Sequence, residues 1–388
     1  MSVPGAVTAL DLGVYVHWPF CQRICPYCDF NVYKDRTINT QQWCSALSAE
    51  LEFWYDRQEK TDRKLTSLYF GGGTPSLAPL AVIAEVIERC HALWGFQRDA
   101  EITLEANPTD FSKSQMQALK ALGVNRLSLG VQSFRDDHLE FLGRDHDSAS
   151  ALRAIDMAQD IFGTITFDLI YGLPQQTLVQ WREDLERAIA LKTHHLSMYQ
   201  LTIEQGTAFS FAAKRGDWQM QDENVLAAFY EMAIEQMVGA GYGHYEISNF
   251  AKHGHKAQHN LLYWHYQDYI GIGPGAHGRL RLKDERLATL NYLKPADYLN
   301  ACQNNGHGVE SEEALNLFEQ MQERFALGLR LEDGIDLLED DYFFTDEARK
   351  KYLDNLCGDG LLIWENNRLR ATGRGRALLD SILPALGL

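Results

Sequence analysis

The sequence predicts an α/β fold: an incomplete barrel of six strand–helix units, (β/α)6, followed by a smaller, mainly helical C-terminal domain with a winged-helix-like hairpin. Three observations carry this. Short apolar runs alternate six times with stretches of helical period between residues 14 and 201. Glycine and polar residues gather where the runs end, on the side where barrels of parallel strands place their sites. Past residue 203 the alternation lapses, and the two further units that would close an eight-stranded barrel do not appear.

The first strand is expected over 14–18 and its helix over 41–57, where Trp43, Leu47, Leu51 and Trp54 recur on one face. The second strand, 65–70, runs into Gly71-Gly72-Gly73-Thr74-Pro75 and an apolar helix over 77–93. Strand three is expected over 101–105 with helix 111–122, and strand four over 126–130 with two short helices within 136–160. Strand five covers 164–170 with helix 178–191, and strand six covers 195–201. Alternation of this kind implies parallel pairing with right-handed crossovers. We divide the chain into a barrel, 1–210; an extension, 211–290, with a helix over 224–240 and a His- and aromatic-rich stretch without clear period; and a C-terminal domain, 291–388. The last is expected to hold helices over 295–302, 313–329 and 345–356, a hairpin turning at Asn366-Asn367, and a final helix.

Directly after the first strand stand Cys21, Cys25 and Cys28. Soft thiolates this close together select zinc, copper(I) or an iron–sulfur cluster, and three of them leave one corner of a four-iron cube open. A zinc site needs a fourth ligand, which Asp29 or His17 would have to supply without the usual second-pair spacing. A disulfide is disfavoured, since three neighbouring thiols do not pair evenly and nothing marks the chain as secreted. Cys44, Cys90, Cys302 and Cys357 read as small buried hydrophobes.

A formal net charge of −17 argues against nucleic acid as a partner. The first twenty residues lack a signal-peptide pattern and no apolar run is long enough to span a membrane, so a cytoplasmic location is expected. The chain is expected to be a monomer or homodimer.

Several strand ends carry chemistry. Gly72 and Gly73 admit close backbone approach and Thr74 adds a hydroxyl, although a glycine triplet also serves as a plain turn. Glu105, Gln132, Arg144 and Asp168 follow at later strand ends; an arginine suits a carboxylate, and acids suit an ammonium or ribose hydroxyls. Each also has an ordinary reading as a solvated or capping side chain.

The Cys-x-x-x-Cys-x-x-Cys spacing, with an aromatic before the last Cys, resembles the cluster loop of the radical S-adenosylmethionine (SAM) superfamily. The order Tyr15-x-His17-x-Pro19-Phe20-Cys21, Gly-Gly-Gly-Thr-Pro, Glu-Ala-Asn-Pro, Leu-Gly-Val-Gln-Ser and Asp-Leu-Ile-Tyr-Gly-Leu-Pro resembles the oxygen-independent coproporphyrinogen III dehydrogenase family. That resemblance implies a [4Fe-4S] cluster on Cys21, Cys25 and Cys28, with SAM contacts from Tyr15, Tyr27, Gly72, Gly73, Thr74, Glu105, Gln132, Arg144 and Asp168. Three departures point away from the dehydrogenase: Phe30 where that family has a fourth Cys, a cluster loop reached within twenty residues, and His259-Asn260-Leu-Leu-Tyr263-Trp264, the signature of the sister branch of HemW-type heme chaperones. The implied function is binding heme and transferring it to acceptor proteins, which the sequence does not name and which include membrane-associated candidates. The alternative is oxidative decarboxylation of a porphyrinogen, so enzymatic activity stays open; a winged-helix redox regulator ranks last.

His253, His255, His259 and His265 crowd one segment beside Tyr263, Trp264 and Tyr266. Imidazole ligates heme iron and aromatic rings offer a flat apolar wall, but core packing or zinc would use the same residues. The signature makes His259 the expected heme ligand, with His277 a second candidate.

Overall fold

The computed structural model describes residues 11–34, 37–59, 62–338 and 341–388. Six parallel strands, β1 (Leu12–Trp18), β2 (Leu65–Gly72), β3 (Phe96–Ala106), β4 (Arg126–Gln132), β5 (Thr164–Tyr171) and β6 (His195–Gln200), neighbour one another in chain order. Their crossovers are α1 (Thr40–Arg57), α2 (Leu80–Leu93), α3 (Lys113–Ala121), the pair α4 (Asp136–Phe141) and α5 (Ser148–Ile161), and α6 (Leu178–Ala190). Helix starts are set by side chains: Ser112 with Gln115 and Thr177 with Gln180 form reciprocal caps on α3 and α6. The helices bury apolar stripes against one face of the sheet, where Leu47, Leu51, Ile83, Val86, Ile155 and Leu185 lie in a continuous core. The other face differs. Tyr15 and His17, Ser67 and Tyr69, Thr103 and Glu105, and Thr166 and Asp168 alternate along the strands, so the barrel encloses a polar lumen.

After β6, α7 (Ala208–Arg215) and α8 (Glu223–Gly239) lead to the short antiparallel strands β7 (Gly243–His244) and β8 (Asn249–Ala251), which end the sheet beyond β6. Next, α9 (Gln258–Trp264) closes the floor of the lumen, and β9 (Asp268–Ile272) pairs parallel with β1 on the opposite edge. The His- and aromatic-rich stretch thus contains a seventh parallel strand that its sequence did not announce. Its Gly271 is obligatory, because an added Cβ would lie 1.9 Å from the His277 carbonyl oxygen. The sheet continues through antiparallel β10 (His277–Leu282) and β11 (Glu285–Asn291), and α10 (Pro295–Asn305) precedes the last edge strand, β12 (Val309–Ala314).

This corrects the expectation at residue 291. The segment 291–314 belongs to the large sheet, and α10 packs on α1, where Tyr298 donates to the buried Glu50 at 2.6 Å. The second core starts with α11 (Leu317–Gly328) and includes β13 (Ile335–Asp336), α12 (Glu347–Gly358), the hairpin β14 (Leu362–Glu365) with β15 (Arg368–Ala371), α13 (Gly373–Ala377) and α14 (Leu379–Ala385). Its three strands pair in the order β13-β15-β14, a helix-and-hairpin unit of winged-helix kind. Ile247, between β7 and β8, packs into this core and ties it to the barrel.

Candidate functional site

The C-terminal ends of the strands open into a cavity of about 890 Å³. Cys21, Cys25 and Cys28 all line it, each partly exposed. Their loop is held at several points: Cys21 N–H donates to Tyr33 O at 3.0 Å, and Phe209 N–H, at the start of α7, donates to Pro26 O at 2.9 Å. Gly143 faces the same proline, and a Cβ there would lie 2.6 Å from Pro26 Cδ at a φ of +67°. Thr74 Oγ1 donates to Cys21 Sγ at 3.4 Å, and Arg144 Nη1 donates to Cys25 Sγ at 3.2 Å. Arg144 Nη2 is shared between Asn107 Oδ1, 2.5 Å away, and Gly130 O, 3.0 Å away.

Among the described residues, no three His, Cys, Asp or Glu side chains converge on a single-ion site, which the zinc alternative requires. Three thiols around one cavity, with a guanidinium beside them to balance negative charge, fit the donor set of a cuboidal iron–sulfur cluster with one open iron. Burial pushes the Cys21 and Cys28 thiols up, Cys28 to about 11.

Two carboxyls face the cavity from deeper in the lumen. Glu105 Oε1 accepts from Tyr69 OH at 2.6 Å and Oε2 from Gly72 N–H at 3.3 Å; burial pushes the carboxyl up to about 7 despite both bonds. Burial also raises Asp168, to about 6, against the opposing pull of Ser197 and Arg144. Gln132 holds a φ of 69°, in the left-handed region, and its Oε1 is buried without a partner, as is Arg144 Nε. Strained and unpartnered polar groups around a cavity are what a zwitterionic nucleoside ligand would complete.

Of the nine residues expected to contact SAM, eight line this cavity: Tyr27, Gly72, Gly73, Thr74, Glu105, Gln132, Arg144 and Asp168. Tyr15 does not. Its hydroxyl bonds His17 Nδ1 at 3.1 Å, and its ring stacks 6.1 Å from Tyr69 beneath the mouth. Asn107, which lines the cavity and accepts from Arg144, was not among the expected residues although it stands in the Glu-Ala-Asn-Pro stretch; Tyr69, two positions before Gly71, lies outside the lining and supports Glu105 from the same inward alternation.

The heme expectation for His259 meets an opposing geometry. The imidazole is 1% exposed on α9 at the lumen floor. Nδ1 is 2.7 Å from Ser67 Oγ, Nε2 is 2.7 Å from Tyr263 OH, and the ring stacks 4.8 Å from Tyr69. No ring nitrogen is left for iron, and burial depresses the imidazole to about 3. The signature here builds the floor. His277 is exposed on β10 and makes no side-chain hydrogen bond among the described residues, but it lies outside the cavity lining.

The sequence profile of the Radical SAM superfamily matches residues 15–188. The heme chaperone HemW of Haemophilus influenzae is 34% identical over 382 residues, covering 96% of this chain and 97% of that protein. The chain belongs to the HemW family of the radical SAM superfamily. The HemW of Escherichia coli K12 is 33% identical over 377 residues, with coverage of 96% and 97%. Radical S-adenosyl methionine domain-containing protein 1, mitochondrial, of Danio rerio is 34% identical over 389 residues, covering 97% and 87%. The HemW-family fold matches coproporphyrinogen III oxidase (HemN) from Escherichia coli, a radical SAM enzyme, with a TM-score of 0.80 across 97% of this chain and 90% of that one, at 24% identity. No helix among the described residues is long and apolar enough to cross a membrane.

Proposed function

We propose that this protein is a heme chaperone, which binds heme and passes it to acceptor proteins while holding a [4Fe-4S] cluster on Cys21, Cys25 and Cys28 and SAM beside it. The reading is carried by kinship to HemW proteins along nearly the whole chain. When bound, the cluster and SAM supply one-electron chemistry that no side chain offers. The chain's residues bind and orient. Arg144 presents a guanidinium suited to a carboxylate, Glu105 and Asp168 accept from an ammonium or ribose hydroxyls, and Thr74 places a hydroxyl at the thiols. Heme is assigned to the cavity, since the floor holds His259 closed. The acceptors, and a reducing compartment such as the cytoplasm, belong to the same proposal.

Anaerobically reconstituted protein should bind about one heme per chain and release it to an apo-acceptor, while forming no protoporphyrinogen IX from coproporphyrinogen III. Product formation dependent on SAM and a reductant would favour the decarboxylase alternative, for which the likeness to HemN supports architecture alone. Failure to bind hemin would end the chaperone reading.

A further inference from the structure

The cavity lining also carries two guanidinium groups that come from outside the thiol loop and the strand ends. Arg330 follows α11, and Arg376 stands in α13, so both come from the C-terminal unit. Arg376 Nη1 donates to His244 O at 3.0 Å; its Nη2 donates no hydrogen bond, and no carboxylate lies within ion-pair distance among the described residues. Arg330 lies over the Trp264 ring at 4.6 Å, which fixes its plane, and stands 3.8 Å from Glu246 Oε2 without a hydrogen bond.

The Nε atoms of both arginines are buried and unpaired, and so is Tyr230 OH on α8. Unpaired buried donors occur elsewhere in the chain too, but these three belong to residues lining one open cavity, where a ligand's acceptors can reach their side chains. Glu246 is the buried acid beside the pair: its Oε1 accepts from Ser248 N–H and Asn249 Nδ2, while its Oε2, ion-paired with Arg330 at 3.8 Å, accepts no hydrogen bond, so it offsets part of Arg330's charge and leaves Arg376 the freer cation. Glu223, Glu231 and Asp380 line the rim, exposed and screened by water. The same lining is apolar at Ile170, Leu226, Ile247, Leu378 and Leu379, with Leu378 42% exposed.

We propose that Arg330 and Arg376 form an anchoring subsite for the carboxylates of a flat, amphipathic ligand whose apolar body lies along Ile247, Leu378 and Leu379. This rests on the heme chaperone reading, in which the acids are the two heme propionates, one to each arginine. Planar guanidinium groups match carboxylates in both geometry and charge.

The test compares hemin with hemin dimethyl ester, which keeps ring and iron but removes both acids, on the full-length, cluster-loaded chain. The unaltered protein should bind hemin about tenfold to hundredfold more tightly than the ester, the effect of one or two charge-assisted hydrogen bonds. Arg376→Ala and Arg330→Ala should each weaken hemin about tenfold and leave the ester unchanged, and Arg376→Lys should restore part of the loss. Equal affinity of the unaltered protein for hemin and ester overturns the subsite while the chaperone reading stands. Variants that weaken both ligands alike overturn it too, as a packing effect. Absence of hemin binding overturns the chaperone reading and the subsite together.

Discussion

At the floor of the barrel, His259 engages neighbours 2.7 Å away through both ring nitrogens, whereas at the mouth Gln132 Oε1 and Arg144 Nε are buried with no partner. The two regions use the same residue types. At the floor, Glu101 caps α9 by accepting from Gln258 N–H and His259 N–H at 3.1 and 3.3 Å, and it faces Arg126 at 3.5 Å. At the mouth, Glu105 and Arg144 keep accessible atoms turned into a cavity. The difference teaches that residue type and family signature do not separate a ligand site from a structural one. Access does: Gln132 and Arg144 hold their unpaired atoms in residues that line a cavity, whereas the floor's own unpaired donor, Arg126 Nη2, belongs to a residue outside that lining and enclosed by protein.

The largest effect expected from this contrast lies at the mouth. Replacing Cys21, Cys25 or Cys28 with Ala should remove the roughly four irons and four sulfides per chain that reconstitution otherwise introduces, with an unchanged thermal unfolding midpoint for the metal-free protein. Iron retained in any of the three variants would break the assignment of these thiols.

The floor responds in the opposite sense. His259→Ala should cost about 2–4 kcal/mol of stability, because it empties buried volume and strips partners from Ser67 and Tyr263, while iron content stays the same. A shifted heme Soret band in a variant of unchanged stability would mean that α9 swings away to free the imidazole, and the closed floor would be the wrong picture. His277→Ala, outside the cavity, should leave hemin affinity unchanged.

Legibility divided along the same line. That the three cysteines line one cavity was legible from their spacing within eight residues, and that Gly72 and Glu105 join them was legible from their places at the ends of β2 and β3; Asp168, midway along β5, joins them through the inward alternation of its strand. The enclosure of His259 was not legible because its partners arrive from far away: Ser67 is 192 residues distant, and only the fold brings β2 against α9. The strand β9 escaped notice because Gly271 is imposed by backbone crowding, which breaks the apolar alternation. The boundary at 291 failed for a different reason. The edge strand β12 exposes Glu310, Ser311, Glu312 and Glu313, which blunts the sheet edge against further pairing and leaves no hydrophobic pattern to read.

A smaller effect sharpens the role of the mouth's cation. Arg144→Lys keeps the charge but loses the fork that reaches Cys25, Asn107 and Gly130 together, so SAM affinity should fall about tenfold while iron loading persists. Loss of the cluster instead would make Arg144 a support of the thiol loop, with no direct part in holding SAM.

The smallest prediction concerns a carboxyl that belongs to neither region. Glu50, on α1, is fully buried; its Oε2 accepts from Tyr298 OH at 2.6 Å and Gly273 N–H at 3.2 Å, and its Oε1 accepts from Gly308 N–H at 3.0 Å. Burial raises its folded pKa to about 7, against the pull of those bonds, from an ordinary value of 4.5. Between these values the native state holds a proton that the unfolded chain has released, so this group's contribution is full below about pH 4.5 and declines as pH rises toward 7. Glu50→Gln keeps one acceptor oxygen but turns the other into a donor facing donors, which should cost about 1 kcal/mol at pH 5. Because the amide does not titrate, the variant should lose this component of the decline, and the gap to the parent protein should narrow toward pH 7. Denaturant unfolding at pH 5, 6 and 7 measures it, and a gap that widens with pH would show that the ionised carboxylate is the form the fold prefers.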